Sequence, residues 1–208
     1  MRDRPLTGRN IVVTRPERQA EELAAMIRDA GGTATLFPVL EIHDVDDLKP
    51  LLDVVARLDD FDLAVFISPN AANKAMNLIT GRRALPRELR CAAIGRGSVK
   101  ELARFGVTGV IAPARKFDSE ALLELPELQE MTGKQVVIFR GDGGRELLGD
   151  TLRARGARVE YAECYRRGRP NLDAAPLLEA WARNEIDAVT RSEEHTSELQ
   201  SHVRISYA

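Results

Sequence analysis

Residues 63–71 read Leu-Ala-Val-Phe-Ile-Ser-Pro-Asn-Ala. The first five are apolar and partly β-branched, which predicts a strand that is buried on both faces, as in a parallel sheet. The next three predict a turn, in which Ser68 or Asn70 caps a helix that continues through Ala75 and Leu78. This stretch therefore predicts one strand–turn–helix unit.

The same unit recurs along the chain. A run of β-branched residues is followed by a turn and then by apolar residues at helical spacing, about seven times in all. The first helix illustrates the spacing, since its predicted buried face carries Leu23, Met26, Ile27 and Ala30. The pattern predicts an α/β fold with parallel sheets, and the other predicted strands cover residues 11–14, 33–37, 91–94, 109–112, 135–139 and 186–190.

Two extended segments interrupt this repetition and suggest how the chain is divided. They cover residues 37–45 and 158–166, and we expect them to pair as a two-stranded linker. The predicted first domain is discontinuous, residues 1–36 with 167–190, and the predicted second domain covers 46–157.

Composition limits the possible functions. The 208 residues are 44% hydrophobic and 30% charged, and the net charge of −2 argues against a nucleic-acid partner. No apolar run approaches the roughly 20 residues of a membrane span, and no signal peptide is apparent, so we expect a cytoplasmic protein. We interpret Cys91 and Cys164 as two buried thiols.

The last residues, 191–208, break every earlier pattern. They read RSEEHTSELQSHVRISYA, which resembles the in-frame translation of a sequencing-library adapter, and we interpret them as a non-native tail. Without this tail only His43 remains as a native histidine, which argues against a histidine-based mechanism and against a multi-histidine metal site. We predict no bound metal.

The turns after the predicted strands could carry chemistry. Ligands of open parallel sheets bind at the carboxyl ends of the strands, where helix N-termini and arginines favour anions. Each turn alone is more simply explained by backbone geometry, and Ser68 by helix capping. Tyr165 could donate a proton, although it could also be only an amphipathic strand residue. The candidate binding residues are Arg15, Ser68, Asn70, Ala71, Gly95, Gly97, Ser98, Arg140 and Arg145.

Taken together, the segments resemble the uroporphyrinogen-III synthase family from about residue 9 to residue 190. The resemblance is carried by IVVTRP at 11–16, FISPNA at 66–71, AIGRGS at 93–98, DSEALL at 118–123, FRGDGGRELL at 139–148, LRARGARV at 152–159 and YRR at 165–167. Each motif is degenerate, but their order and spacing are fairly specific.

The resemblance implies two α/β domains with the active site in the cleft between them. It implies that the small-molecule substrate hydroxymethylbilane loses its hydroxyl and closes to uroporphyrinogen III with ring D inverted. It also implies that the enzyme is a monomer and uses no metal or organic cofactor. Tyr165 stands at the position of a tyrosine of this family that is suspected of helping the hydroxyl group to leave. The residues that would line the cleft are Ser68, Asn70, Gly97, Ser98 and Arg145.

The sequence departs from the family pattern after Thr190, where the family continues with further strand–helix units. We therefore expect the first domain to be incomplete, poorly folded around residues 1–36 and 167–190, and the 208-residue chain to be inactive. Three alternatives are a two-domain small-anion-binding protein, a nucleotide-binding enzyme and a regulatory protein with a degenerate synthase-like domain. A nucleotide-binding enzyme would carry a complete glycine fingerprint or a P-loop, and the sequence contains neither.

Overall fold

The computed structural model describes residues 4–190, and the interpretation of 191–208 as a non-native tail lies outside these residues. Strands and helices alternate, as the sequence predicts. The elements are β1 (Asn10–Val13), α1 (Glu17–Asp29), β2 (Thr33–Leu36), β3 (Glu41–His43), α2 (Lys49–Ala56), β4 (Leu63–Phe66), α3 (Pro69–Thr80), β5 (Arg90–Ala93), α4 (Arg96–Arg104), α5 (Ser119–Leu123), β6 (Gln135–Gly141), α6 (Leu147–Ala154), β7 (Arg158–Gly168), α7 (Ala175–Ala182) and β8 (Ala188–Thr190).

The described residues form two compact units, one of residues 4–42 with 167–190 and one of residues 43–166. The first unit contains a sheet with the order β2-β1-β8, and β1 is parallel to both neighbours. Its small core joins Ile11 and Val13 of the central strand to Ala20 and Ile27 of α1. The expectation that this part of the chain folds poorly stays a prediction.

The buried face of α1 differs from the predicted one. Met26 is 64% exposed, whereas Ala20, Ala24 and Ile27 are buried. These three residues follow the spacing i, i+4, i+7 and form one stripe. Met26 lies about 100° around the helix from Ile27 and about 200° from Ala24, so it falls outside that stripe. The prediction of Met26 as a core residue was wrong.

The second unit contains β4, β5, β6 and most of β7, which belong to a five-stranded sheet with the order β3-β7-β6-β4-β5. Strand β4 pairs in parallel with β5 and β6, and β6 pairs in parallel with β7. All four residues of β4 are buried, as its continuous apolar sequence predicts for a strand covered on both faces. On one face the rings of Phe66 and Phe139 stack with their centroids 5.0 Å apart.

The predicted strand at residues 109–112 does not form. Only Ile111 bridges to the sheet, where its amide and carbonyl bond the backbones of Cys91 and Ala93. Gly109 has a φ of 66°, which is not an extended conformation. Pro113 stands where the next ladder donor would be and has no N–H. The ladder therefore stops after one residue.

An aspartate stands immediately before β4 and another immediately before β8, and both bind the neighbouring strand in the same way. The amide of Asp62 donates to the carbonyl of Gln135 (2.9 Å), and the Asp62 carboxylate accepts from the Gln135 amide (2.8 Å) and from Lys134 (2.9 Å). The aspartate that precedes one strand is thus bonded to the first residue of the neighbouring strand. We call this arrangement an aspartate clamp.

The second aspartate clamp lies in the first unit. The amide of Asp187 donates to the carbonyl of Asn10 (2.9 Å), while its carboxylate accepts from the Asn10 amide (2.7 Å) and from Arg9 (2.6 Å). Each clamp thus uses a carboxylate, the first amide of a strand and the basic residue before that amide. The two units fix the starts of their central strands by the same chemistry.

The clamps predict how stability depends on pH. The Gln135 amide, and then Lys134, hold the pKa of Asp62 below its ordinary value, and the Asn10 amide and Arg9 do the same to the pKa of Asp187. A lowered carboxyl pKa stabilises the fold above the unfolded value of about 3.9, and this contribution is lost as pH falls through the folded value. We expect the free energy of unfolding to fall with pH below about pH 4.

Denaturant titrations of the wild type and of the Asp62→Asn and Asp187→Asn variants between neutral and acid pH would check this dependence. Each variant should show a shallower decline below about pH 4, because it has one fewer clamp carboxylate to protonate. Asp53→Asn, which removes a carboxylate from an exposed position of α2, is the control for net charge. An unchanged slope in both clamp variants would contradict the assignment.

Candidate active site

The site begins with the turns after β4 and β5, which lie side by side because these strands are parallel neighbours. Ser68 caps α3, since its hydroxyl oxygen accepts from the amide of Ala71 (3.1 Å), as the sequence predicts. Gly95 precedes α4, and a Cβ atom on Gly97 would lie 2.9 Å from Cγ of Pro69. The two turns are therefore in close contact.

A buried hydrogen bond joins the turn after β4 to β7. Oγ of Ser68 lies 3.1 Å from the hydroxyl oxygen of Tyr165, and either hydroxyl can be the donor. Both residues are buried, and Tyr165 has no exposed surface. The amide of Asp142 donates to the carbonyl of Tyr165 (2.9 Å) and ties β7 to the end of β6. The structure thus places two of the predicted site residues in direct contact.

Arg140 is committed to protein groups. Its guanidinium is buried, donates to the carboxylate of Glu146 (3.1 Å) and lies over the ring of Tyr161 at 4.6 Å. Arg153 lies over the same ring at 5.2 Å. Such cation–π contacts gain strength when water is excluded. Arg140 therefore supports the turn that follows β6 from within the protein. The sequence predicts it as a binding residue and does not predict its burial.

Arg145 lies at the surface and pairs with Glu120 of α5. Burial alone would raise the pKa of Glu120, but the hydrogen bond and the charge of Arg145, together with the backbone amide of Glu120, outweigh it, and the pKa lies below its ordinary value. About half of the Arg145 side chain is exposed, so solvent screens this pair and it contributes little stability. The Arg145 guanidinium therefore stays partly in contact with solvent while it binds a carboxylate.

The remaining predicted residues take different positions. The Nδ2 atom of Asn70 is buried and has no hydrogen-bond partner among the described residues, and Ala71 and Ser98 are also buried. Arg15 belongs to the first unit, two residues after β1. All other predicted site residues belong to the second unit.

The described residues offer no metal site, since no group of three or more His, Cys, Asp or Glu side chains converges in residues 4–190. Both cysteines are buried free thiols, as predicted. Burial raises the pKa of Cys91 to about 11 and that of Cys164 to about 12, so neither forms a thiolate at neutral pH. In the same part of the chain, no helix is long and apolar enough to cross a bilayer.

The fold and the site define an α/β protein with parallel sheets whose helix-capping turns cluster at the carboxyl ends of neighbouring strands. The sequence matches the family described as HEM4, Uroporphyrinogen-III synthase HemD, over residues 21–200. The chain therefore belongs to the uroporphyrinogen-III synthase family, a family of lyases in heme biosynthesis.

Individual relatives agree with this assignment. The chain is 39% identical over 181 residues to uroporphyrinogen-III synthase of Escherichia coli, a match that covers 86% of this chain and 74% of the relative. It is 39% identical over 173 residues to the Salmonella typhimurium enzyme, covering 83% and 70% of the two chains.

Solved structures support the fold. A mutant uroporphyrinogen III synthase from Thermus thermophilus superposes with a TM-score of 0.61 at 23% identity, covering 87% of this chain and 71% of that one. At this identity the likeness concerns the fold alone. It confirms the predicted α/β architecture with parallel sheets.

Replacing Ser68 by alanine tests its double role as a cap and as the partner of Tyr165. The variant loses the acceptor for the Ala71 amide and leaves a buried phenol without this hydrogen bond. We expect Ser68→Ala to lower the free energy of unfolding by about 1–3 kcal/mol, measured by denaturant titration.

Ser119→Ala is the matched control. Ser119 is the first residue of α5, and its side chain makes no hydrogen bond within residues 4–190. We expect a change within about 0.5 kcal/mol. If Ser68→Ala unfolds at the same denaturant concentration as the wild type, the buried bond contributes nothing to stability.

Proposed function

We propose that this protein converts hydroxymethylbilane into uroporphyrinogen III, with loss of the terminal hydroxyl group and inversion of ring D. Membership of the uroporphyrinogen-III synthase family supports this reaction and favours it over a small-anion-binding or regulatory role. The geometric observation that carries the proposal is the buried bond between Ser68 and Tyr165, at the carboxyl end of the second sheet. It gives the proposed acid a defined position.

In this proposal Tyr165 supplies the proton with which the hydroxyl group leaves as water. General acids of this kind lower the barrier to departure of a poor leaving group. The phenol is buried, so the reaction requires its hydroxyl to become accessible when substrate binds. A hydrogen bond donated by the Ser68 hydroxyl would then stabilise the charge left on the phenol oxygen.

The proposed binding groups are the backbone amides at the starts of α3 and α4, the Asn70 side chain and the exposed Arg145. These groups suit a polycarboxylate, because helix N-termini and guanidinium groups both favour anions. Holding the two ends of a linear tetrapyrrole close together accounts for ring closure by proximity. We propose that no metal or organic cofactor takes part and that the protein acts as a cytoplasmic monomer.

We also propose a division into domains. A discontinuous first domain covers residues 1–36 and 167–190, linker strands cover 37–45 and 158–166, and a second domain covers 46–157. The two compact units and the strand order that places β3 beside β7 support this division.

The reaction is tested by supplying hydroxymethylbilane and separating the products with and without an inverted ring D by chromatography. We expect the inverted isomer, and we expect Tyr165→Phe to lower kcat by about 10²–10⁴-fold with little change in KM. Tyr161→Phe removes a phenol hydroxyl from the same strand and is the matched control. Product with the uninverted ring, at the rate of the enzyme-free solution, would contradict the proposal for this chain and would agree instead with the expectation that the 208-residue chain is inactive.

A further inference from the structure

The pairing of β6 with β7 changes register at its end. Arg140 pairs with Glu163, but Gly141 pairs with Tyr165, so one residue of β7, Cys164, is left without a partner. Side chains alternate between the two faces of a sheet, so the extra residue of such a β-bulge moves every later side chain of the strand to the opposite face. The bulge therefore brings Tyr165 to the face that Cys164 would otherwise occupy.

This face is the one that carries Ser68. Phe66 and Phe139 are register partners and stack on the same face of the sheet. Residues two positions further along share that face, which gives Ser68 after β4 and Gly141 at the end of β6. The bulge thus places Tyr165 on the same face as the serine that it contacts.

The hydrogen bond has to cross a whole strand. In the sheet β6 lies between β7 and β4, so Tyr165 is two strand spacings, or about 10 Å, from the line of β4. The phenol reaches Ser68 because its ring lies directly on β6 at Gly141. A Cβ atom at Gly141 would lie 2.6 Å from two ring carbons and 3.0 Å from the hydroxyl oxygen of Tyr165.

Space is the only requirement that Gly141 meets. Its φ lies outside the left-handed region, so an alanine could adopt the same backbone conformation. A Cβ atom at this position would nevertheless force the ring or the strand to shift, and we expect the bond to Ser68 to be lost. The absence of a side chain at Gly141 is therefore what sets the position of the phenol hydroxyl.

We propose that Gly141 and Ser68 are positioning residues for the reaction, with Gly141 providing the flat surface on which the Tyr165 ring lies and Ser68 fixing its hydroxyl. The inference rests on the proposed function for its catalytic consequence. The placement itself is independent of activity, so the two are tested by separate measurements.

The placement is tested by NMR of protein labelled with ¹³C at Cζ of tyrosine. Tyr165→Phe identifies the Tyr165 resonance. We expect Gly141→Ala and Ser68→Ala both to move this resonance, because both change the hydrogen bond of the hydroxyl. Gly149→Ala is the matched control, since a Cβ atom at Gly149 would lie 2.0 Å from the hydroxyl oxygen of Tyr161 instead. It should move the Tyr161 resonance and leave that of Tyr165 in place.

The catalytic consequence is tested by kinetics with hydroxymethylbilane. We expect Gly141→Ala to lower kcat by about the same factor as Tyr165→Phe, roughly 10²–10⁴-fold, with little change in KM. The double variant should be no slower than Tyr165→Phe, because both changes remove one and the same group from the reaction. Gly149→Ala should instead change kcat by the same factor whether it is introduced into the wild type or into the Tyr165→Phe variant.

Each result decides a different claim. If Tyr165→Phe keeps the wild-type kcat, the proposed acid is wrong, while the resonances still decide the placement. If Gly141→Ala leaves the Tyr165 resonance unmoved, or lowers kcat further when added to Tyr165→Phe, the positioning role is overturned. If Gly141→Ala does not fold, recovery of folding by Tyr165→Leu supports the contact, and failure to recover overturns it.

Discussion

Strand β6 is paired along both edges, and the second unit depends on this constraint. Ser68 follows its neighbour β4 and Tyr165 lies on its neighbour β7, so every β6 side chain on the face that these two residues share lies between them. Along most of the strand that space is filled by apolar groups, including the Phe139 ring stacked on Phe66. Only at its last residue does β6 leave room for a group from one neighbour to reach the other.

Charge is used differently in the interior and at the surface of the second unit. Buried Arg140 is satisfied by a carboxylate, a carbonyl and an aromatic face, which offset the cost of removing a guanidinium from water. Exposed Arg145 pairs with Glu120. Arg140, near the end of β6, therefore shapes the following turn from inside the protein, whereas Arg145 in that turn is held at the surface.

The sequence predicts those features that depend on local order. Burial of β4, capping by Ser68 and the alternation of strands with helices all follow from residue types within a few positions of one another. The strand order, the bulge opposite Gly141 and the contact of Arg140 with the ring of Tyr161 depend on residues far apart in the chain, which periodicity does not report. The prediction at residues 109–112 failed because apolar β-branched residues indicate a strand, although Pro113 removes the donor that would extend it. One feature of the sequence could have indicated the role of Gly141, because it is a glycine at the end of a buried apolar strand.

The two aspartate clamps close loops of very different length. The carboxylate bond of Asp62 to Gln135 joins residues 73 apart, and that of Asp187 to Asn10 joins residues 177 apart. Long-range contacts of this kind slow folding, because the entropy of loop closure must be lost before the contact forms. The second unit is continuous in sequence and can acquire its structure as soon as it has been synthesised. The first sheet must wait for β8, and folding of the intervening unit shortens the flexible chain between β1 and β8. The connectivity thus imposes an order of assembly, in which the inserted unit folds first and the flanking sheet closes last.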